Sequence, residues 1–130
     1  MGARLESAPS ELLIQTAFKK ELDDQAELFE TMSLADLAHT LVMMDAGIVP
    51  AEAGRELLAA LLKLHQRPAD FQLDPSRGDL YTNREAWLST RARGSAWLGA
   101  GRARREATTT AFLMKLRADL LSLTNIVTKT

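Results

Sequence analysis

Cysteine is absent from this chain, so neither a disulfide nor a thiolate metal site is available to it. Histidine occurs twice, at His39 and His65, too few for the usual zinc ligand sets. Aromatic residues make up 5% of the chain, too few for a platform on which successive bases stack. No apolar run reaches the roughly 18 residues that a membrane span needs. The opening MGARLESAPSELL lacks a basic stretch followed by an apolar core, so no secretory leader is expected. These absences fit a cytoplasmic location, with no membrane partner and no cofactor expected.

What is present is charge, unevenly placed. The formal net charge is −1, yet residues 1–76 carry −7 and residues 77–117 carry +6. The basic part is suited to an anion, whether a carboxylate, a phosphate or an acidic protein surface. Its densest stretch is GAGRARREATTT, residues 99–110, with Arg91 and Arg93 shortly before it.

Apolar residues recur at steps of three and four along most of the chain, which predicts an all-α fold. A first helix is expected after Pro9, with Ser10 as its N-cap. A second is expected from about Asp23 to Met44, with Leu34, Leu37, Leu41 and Met44 on its apolar face. Gly47 suits the left-handed residue that ends it, and Pro50 suits the first turn of the next helix, AEAGRELLAALLKLHQ. In that helix Leu57, Leu58, Leu61 and Leu62 form a broad apolar face. Residues 67–78 read as a turn-rich connector. A short helix then runs over roughly Asp79 to Arg91, with Leu80, Trp87 and Leu88 as candidates for burial. After a glycine-containing loop the last helix starts near Glu106. Its Leu113, Leu116, Leu120, Leu123 and Val127 form a lengthwise seam, and TNIVTKT offers neither a glycine cap nor a proline stop. Such a seam calls for a partner of similar length. The chain is therefore expected to be a piece of a longer protein or of an assembly. Fraying of the last residues is the plainer alternative.

Three chemical readings compete for GAGRARRE. A nucleotide-phosphate loop needs a third glycine at the position of Arg104 and a preceding strand, and neither is present. A nucleic-acid patch would use Arg91, Arg93, Arg102, Arg104 and Arg105. A pI near 6.1 argues against it. A carboxylate site would use glycine backbone N–H groups, the start of the last helix, and Arg102 and Arg104 as bidentate donors. The structural alternative is that these arginines lie in solvent or pair with acidic residues. His39 reads as a partly buried, satisfied histidine, Asn83 as a polar group on an exposed helix face, and Met32, Met43, Met44 and Met114 as core filler.

The order and spacing of several segments resemble the argininosuccinate lyase family. GARL at residues 2–5 is similar to its Gly-Gly-Arg-Phe opening. LADLAHTLVMMDAGIVPAEAGRELLAAL resembles the helix–turn–helix that follows there, with His39, Gly47 and Ile48 matching. DLYTNREAWL is similar to Asp-Ile-His-Met-Asn-Ile-Glu-x-x-Leu, matching at Asp79, Asn83, Glu85 and Leu88. GAGRARREATTTAFLMKLR resembles His-Thr-Gly-Arg-Ser-Arg-Asn-Asp-Gln-Val-Ala-Thr-Asp-Leu-Arg-Leu-x-Leu-Arg, matching at Gly101, Arg102, Arg104, Thr110, Leu116 and Arg117. Gly99-Ala100 stands where the family has His-Thr, Ala103 where it has Ser, Arg105 where it has Asn, and Glu106 where it has Asp. An early substrate-binding serine of the family falls on Phe18 or Lys19.

The resemblance covers only the front of such a lyase. It implies an N-terminal helical domain of the fumarase/aspartase type over 1–105, and the start of the first long bundle helix over 106–130. It implies C–N bond cleavage by β-elimination with release of fumarate, within arginine biosynthesis. Asn83, Arg102 and Arg104 would then bind substrate. No catalytic residue is expected in this chain, because the family's serine loop and histidine lie further along. Partners would be further copies or a complementary lyase chain, around a small dicarboxylate-type substrate and not nucleic acid. The alternative is a non-catalytic helical interaction module derived from the same scaffold.

Overall fold

The computed structural model describes residues 9–129. The GARL segment lies outside them. Helices account for the architecture, and no strand occurs among the described residues. Ser10 caps the first helix, its hydroxyl accepting from the Leu13 amide at 3.3 Å. From there one helical path runs to Asp45 with changes of winding. It comprises α1 (Glu11–Leu13), a wider π-type stretch (Ile14–Phe18), α2 (Lys19–Gln25), a 3-10 turn (Ala26–Leu28) and α3 (Phe29–Asp45).

Gly47, at φ 70°, ends this path, and the amides of Ile48 and Val49 bond back to the Met43 carbonyl. Pro50 is the N-cap of α4 (Ala51–Gln66), one residue ahead of the first turn expected for it. The connector holds two 3-10 turns, Pro68–Asp70 and Pro75–Arg77, and leads to α5 (Leu80–Ser89), capped by Asp79. A run of 3-10 turns (Arg93–Gly99) replaces the expected open loop and buries Leu98. The last helix, α6 (Arg104–Thr128), begins two residues before the sequence-based boundary at 106. The Glu106 carboxylate accepts from the Ala103 amide at 2.5 Å, satisfying one donor that the alanine side chain cannot cap.

The core gathers Leu57, Ala60 and Leu61 of α4 with Leu80, Tyr81 and Leu88 of α5, Leu22, Met32, Leu98 and the first turns of α6 at Ala107 and Ala111. On α4 the buried stripe is Leu57, Leu61 and Leu64, each fully enclosed, while Leu62 is exposed. Burial of a leucine side chain contributes about 1.5–3 kcal/mol, so this stripe supplies much of the driving force.

Two expectations about apolar faces need correction. On α3, Leu34 and Leu41 are exposed, and the buried face carries Met32, Ser33, Ala35, Asp36, Thr40 and Met43. A face with three polar residues is buried because each of them has a partner. Ser33 Oγ donates to the Phe29 carbonyl, Thr40 Oγ1 donates to the Asp36 carbonyl, and Asp36 binds arginine. On α5, Asn83 is buried and not exposed. Trp87 is half-buried, with the Arg91 guanidinium stacked 4.1 Å from its ring centre.

Beyond Ala111, α6 leaves the core. Phe112, Leu113, Leu116, Leu120, Leu123 and Val127 are all exposed. No described helix is long and apolar enough to cross a membrane.

Candidate functional site

The turn Gly99–Ala103 joins the core to α6, and α3 holds it at two points. The His39 ring donates from Nε2 to the Ala100 carbonyl at 2.8 Å. This satisfied, half-buried histidine agrees with the reading of LAHTL. One step on, Arg102 pairs with Asp36 through Nη2 and Oδ1. Between these anchors Gly101 adopts φ 70°, and a Cβ there would lie 2.4 Å from the Met43 methyl. A side chain at 101 is therefore disfavoured by backbone conformation, and the flexible Met43 methyl would have to move aside for it.

Asp36 is the centre of a buried charge network. Its second oxygen, Oδ2, accepts from Arg84 Nη2 at 2.7 Å, and neither side chain is exposed at all. Arg84 Nη1 donates to Ser33 Oγ at 2.8 Å, and its guanidinium lies 5.3 Å from the Phe29 ring centre. Two guanidinium groups thus share one carboxylate, leaving a net charge of +1 inside the fold. The Nε atoms of Arg84 and Arg102 are buried and bonded to nothing among the described residues. Removing the carboxylate alone would leave both cations uncompensated, at a cost on the order of 3–5 kcal/mol.

Arg102 forms part of the wall of a cavity of about 620 Å³ between α3 and the start of α6. Leu34, Ala38, His39, Thr110 and Met114 line it with Gly101, and Glu106 contributes the opposite charge. Arg104, two residues away, turns elsewhere. Its Nη2 donates to Asp79 Oδ1 at 2.8 Å and to Thr82 Oγ1, and its guanidinium lies 5.0 Å from the Tyr81 ring centre. It borders a separate cavity of about 370 Å³ with Glu21, Gln25 and Arg105.

Asn83 is engaged on both ends of its amide. Its oxygen accepts from the Asp74 amide at 2.8 Å, and its nitrogen faces the carbonyls of Asp74, Gly78 and Asp79 at 3.0–3.2 Å. It pins the connector to α5. The three sequence-derived site residues therefore stand at three places: Arg102 at the large cavity, Arg104 at the mouth of α5, and Asn83 under the connector. The remaining arginines of the basic stretch do not form one face either, since Arg91 lies on Trp87 and bonds the Trp87 carbonyl.

Two titrating groups lie beside the network. Burial pushes the Tyr81 phenol above its ordinary value, and Glu85 and Asp36 add to that rise against Arg102. Glu85 is lifted mainly by loss of water around its carboxyl, with Asp79 and Asp36 adding and the arginines 104 and 102 opposing.

Asp36 and Arg84 were not identified from the sequence, although a signal existed. Arg84 lies midway between Leu80 and Leu88, four residues from each, and Asp36 lies four residues after Met32. A charge in register with buried apolar residues sits on an inward face, where it needs an opposite charge.

No family model matches this chain. No solved structure matches it. Curated proteins do. Over 122 residues, 92% of this chain, it is 32% identical to a protein of Methanosarcina acetivorans named argininosuccinate lyase. It is 28% identical over 116 residues, 85% of the chain, to one of the same name from Methanococcus maripaludis. A third, from Methanosarcina mazei, is 29% identical over 122 residues. The chain spans about 24% of the length of each of these relatives.

Proposed function

We propose, on the premise that this chain is homologous to a segment of the argininosuccinate lyases, that it supplies one wall of a C–N lyase site and has no turnover alone. The observation that carries this reading is the Gly101–Arg102 turn at the edge of the 620 Å³ cavity, held by His39 and Asp36 of α3. In β-elimination a base removes the proton beside a carboxylate, the C–N bond breaks as the double bond forms, and the amine leaves with a proton. Charge accumulates on the carboxylate, and a fixed guanidinium stabilises it. That is the role proposed for Arg102. Arg104 orders the start of α6 through Asp79, and Asn83 supports the site indirectly by pinning the connector to α5. The proton-transfer groups and the cover for α6 would come from further lyase sequence or from other subunits.

The test is complementation. This chain is mixed or co-expressed with the remaining three quarters of a related lyase, and fumarate release from argininosuccinate is followed. The expected result is no activity for either part, activity for the pair, and loss of at least about a hundredfold with Arg102→Met. A folded pair that releases no fumarate from any amino- or guanidino-succinate would rule the reading out.

A second reading is a non-catalytic association module. It is supported by the exposed apolar residues along α6, by exposed Leu34, Leu41 and Val42 on α3, and by the engagement of Arg102, Arg104 and Asn83 within the fold. It calls for a concentration-dependent oligomer in sedimentation, disrupted by Leu120→Asp. A monomer at all concentrations would exclude it for the chain by itself.

A further inference from the structure

We propose that Asp36 is a positioning residue for Arg102, holding its guanidinium in one orientation against the wall of the large cavity; this rests on the carboxylate-binding reading above. Four observations support it. Asp36 is fully buried, so its carboxylate has no freedom to exchange with water. Its two oxygens are divided, Oδ2 to Arg84 and Oδ1 to Arg102, so it cannot turn toward one without releasing the other. The Arg102 side chain is 8% exposed, and its charged partner is Asp36, with the Tyr81 hydroxyl also within its reach. Finally, Arg102 lines this cavity, with Glu106 as the only carboxylate among the lining residues, whereas Arg104 and Arg105 border another, so Arg102 is the guanidinium that a carboxylate entering here would meet. Arg84 ties the other oxygen of the same carboxylate to α5, a link separate from the one that Asp36 makes to Arg102.

A structural role for Asp36 and a positioning role separate when Arg84 is removed first. Arg84→Met deletes the α3–α5 link and leaves a neutral Asp36–Arg102 pair. Adding Asp36→Asn then leaves Arg102 without its carboxylate in the same background. The comparison is made by NMR on the complete chain, through exchange of the Arg102 Nε proton and titration with succinate. In Arg84→Met the Arg102 signal should stay as slow as in the native protein. In the double variant exchange should be at least about tenfold faster, and succinate about tenfold weaker, while other arginine signals are unchanged. An unchanged Arg102 signal overturns the proposal. So does equal or tighter succinate binding in the double variant, since Asp36 would then be a bystander or a competitor for Arg102. If the native chain binds no succinate, the carboxylate reading fails and the exchange rates alone decide whether Asp36 positions Arg102. If the double variant does not fold, a through-hydrogen-bond coupling between the Arg102 guanidinium and the Asp36 carboxyl carbon in the native chain decides. Its presence supports the proposal and its absence overturns it.

Discussion

Helices α4 and α6 have leucines at the same three- and four-residue steps, yet they end in opposite environments. On α4, Leu57, Leu61 and Leu64 are enclosed by α3, α5 and the 93–99 turns. On α6, Leu113, Leu120 and Val127 remain 55%, 54% and 66% exposed. Periodicity reports that a helix has an apolar face. It does not report whether the chain contains what covers that face. For α4 the chain supplies the cover from both sides in sequence, α3 before it and α5 and the 93–99 turns after it. For α6, about 38 Å long, only the first two turns meet the core, because the other helices are shorter or are already packed.

The sharpest way to break this comparison is a matched pair of truncations. Leu61→Ala should cost about 2–5 kcal/mol in urea unfolding, as expected for a buried leucine with neighbours that collapse poorly. Leu120→Ala should change stability by no more than about 0.5 kcal/mol in a monomeric chain. Similar losses at both positions would mean that α6 is covered in solution, and sedimentation of the same samples would show by how many copies.

Gly94→Ala probes the cover of α4 from the other side. An added Cβ would lie 2.1 Å from the Ala53 carbonyl oxygen, a backbone atom at the start of α4 that cannot rotate aside. A cost of about 1–3 kcal/mol is expected, with faster hydrogen exchange across residues 93–99. Loss confined to activity, with native exchange rates, would contradict the close packing.

Smaller effects concern the root of α6, where Arg104 meets Asp79 and Glu85 lies nearby. Because the folded chain raises the Glu85 pKa, the ionised group disfavours folding at neutral pH. That penalty fades as pH falls through the raised value and is absent below the ordinary value of 4.5. Glu85→Gln should therefore raise Tm at neutral pH and leave it unchanged in acid. A gain of equal size at both pH values would point to a cause other than titration. Asp74 has the opposite sign. The Ser76 hydroxyl bond, with Arg77 also contributing, holds its pKa below the ordinary 3.8, so its small stabilisation is present above that value and fades as pH falls through the lowered one. Asp74→Asn should lower Tm slightly at neutral pH and not at the acid end.

Much of the helix map was legible in the sequence. The bounds of α4, the glycine at 47, the Asp79 start of α5 and the apolar run of α6 follow from local propensity, capping and period, which neighbouring residues settle among themselves. The buried face of α3 was not. Leu34 and Leu41 suggested one face, and the fold turned another inward because Asp36 and Ser33 find Arg84 there. At the candidate site, the sequence marked Arg102, Arg104 and Asn83 by resemblance, and the fold distributed them among three neighbourhoods.

By itself the sequence determined that this protein is helical, where α4 lies and α5 begins, and which lyase segment it resembles, since capping and period are short-range and the aligned motifs are linear. Only the tertiary structure decided that Arg102 turns to Asp36 while Arg104 turns to Asp79, and that one leucine stripe is enclosed while its counterpart is bare. The physical reason is that a charge or an apolar face specifies only the kind of partner it needs. The partner it obtains depends on which helices pack within reach.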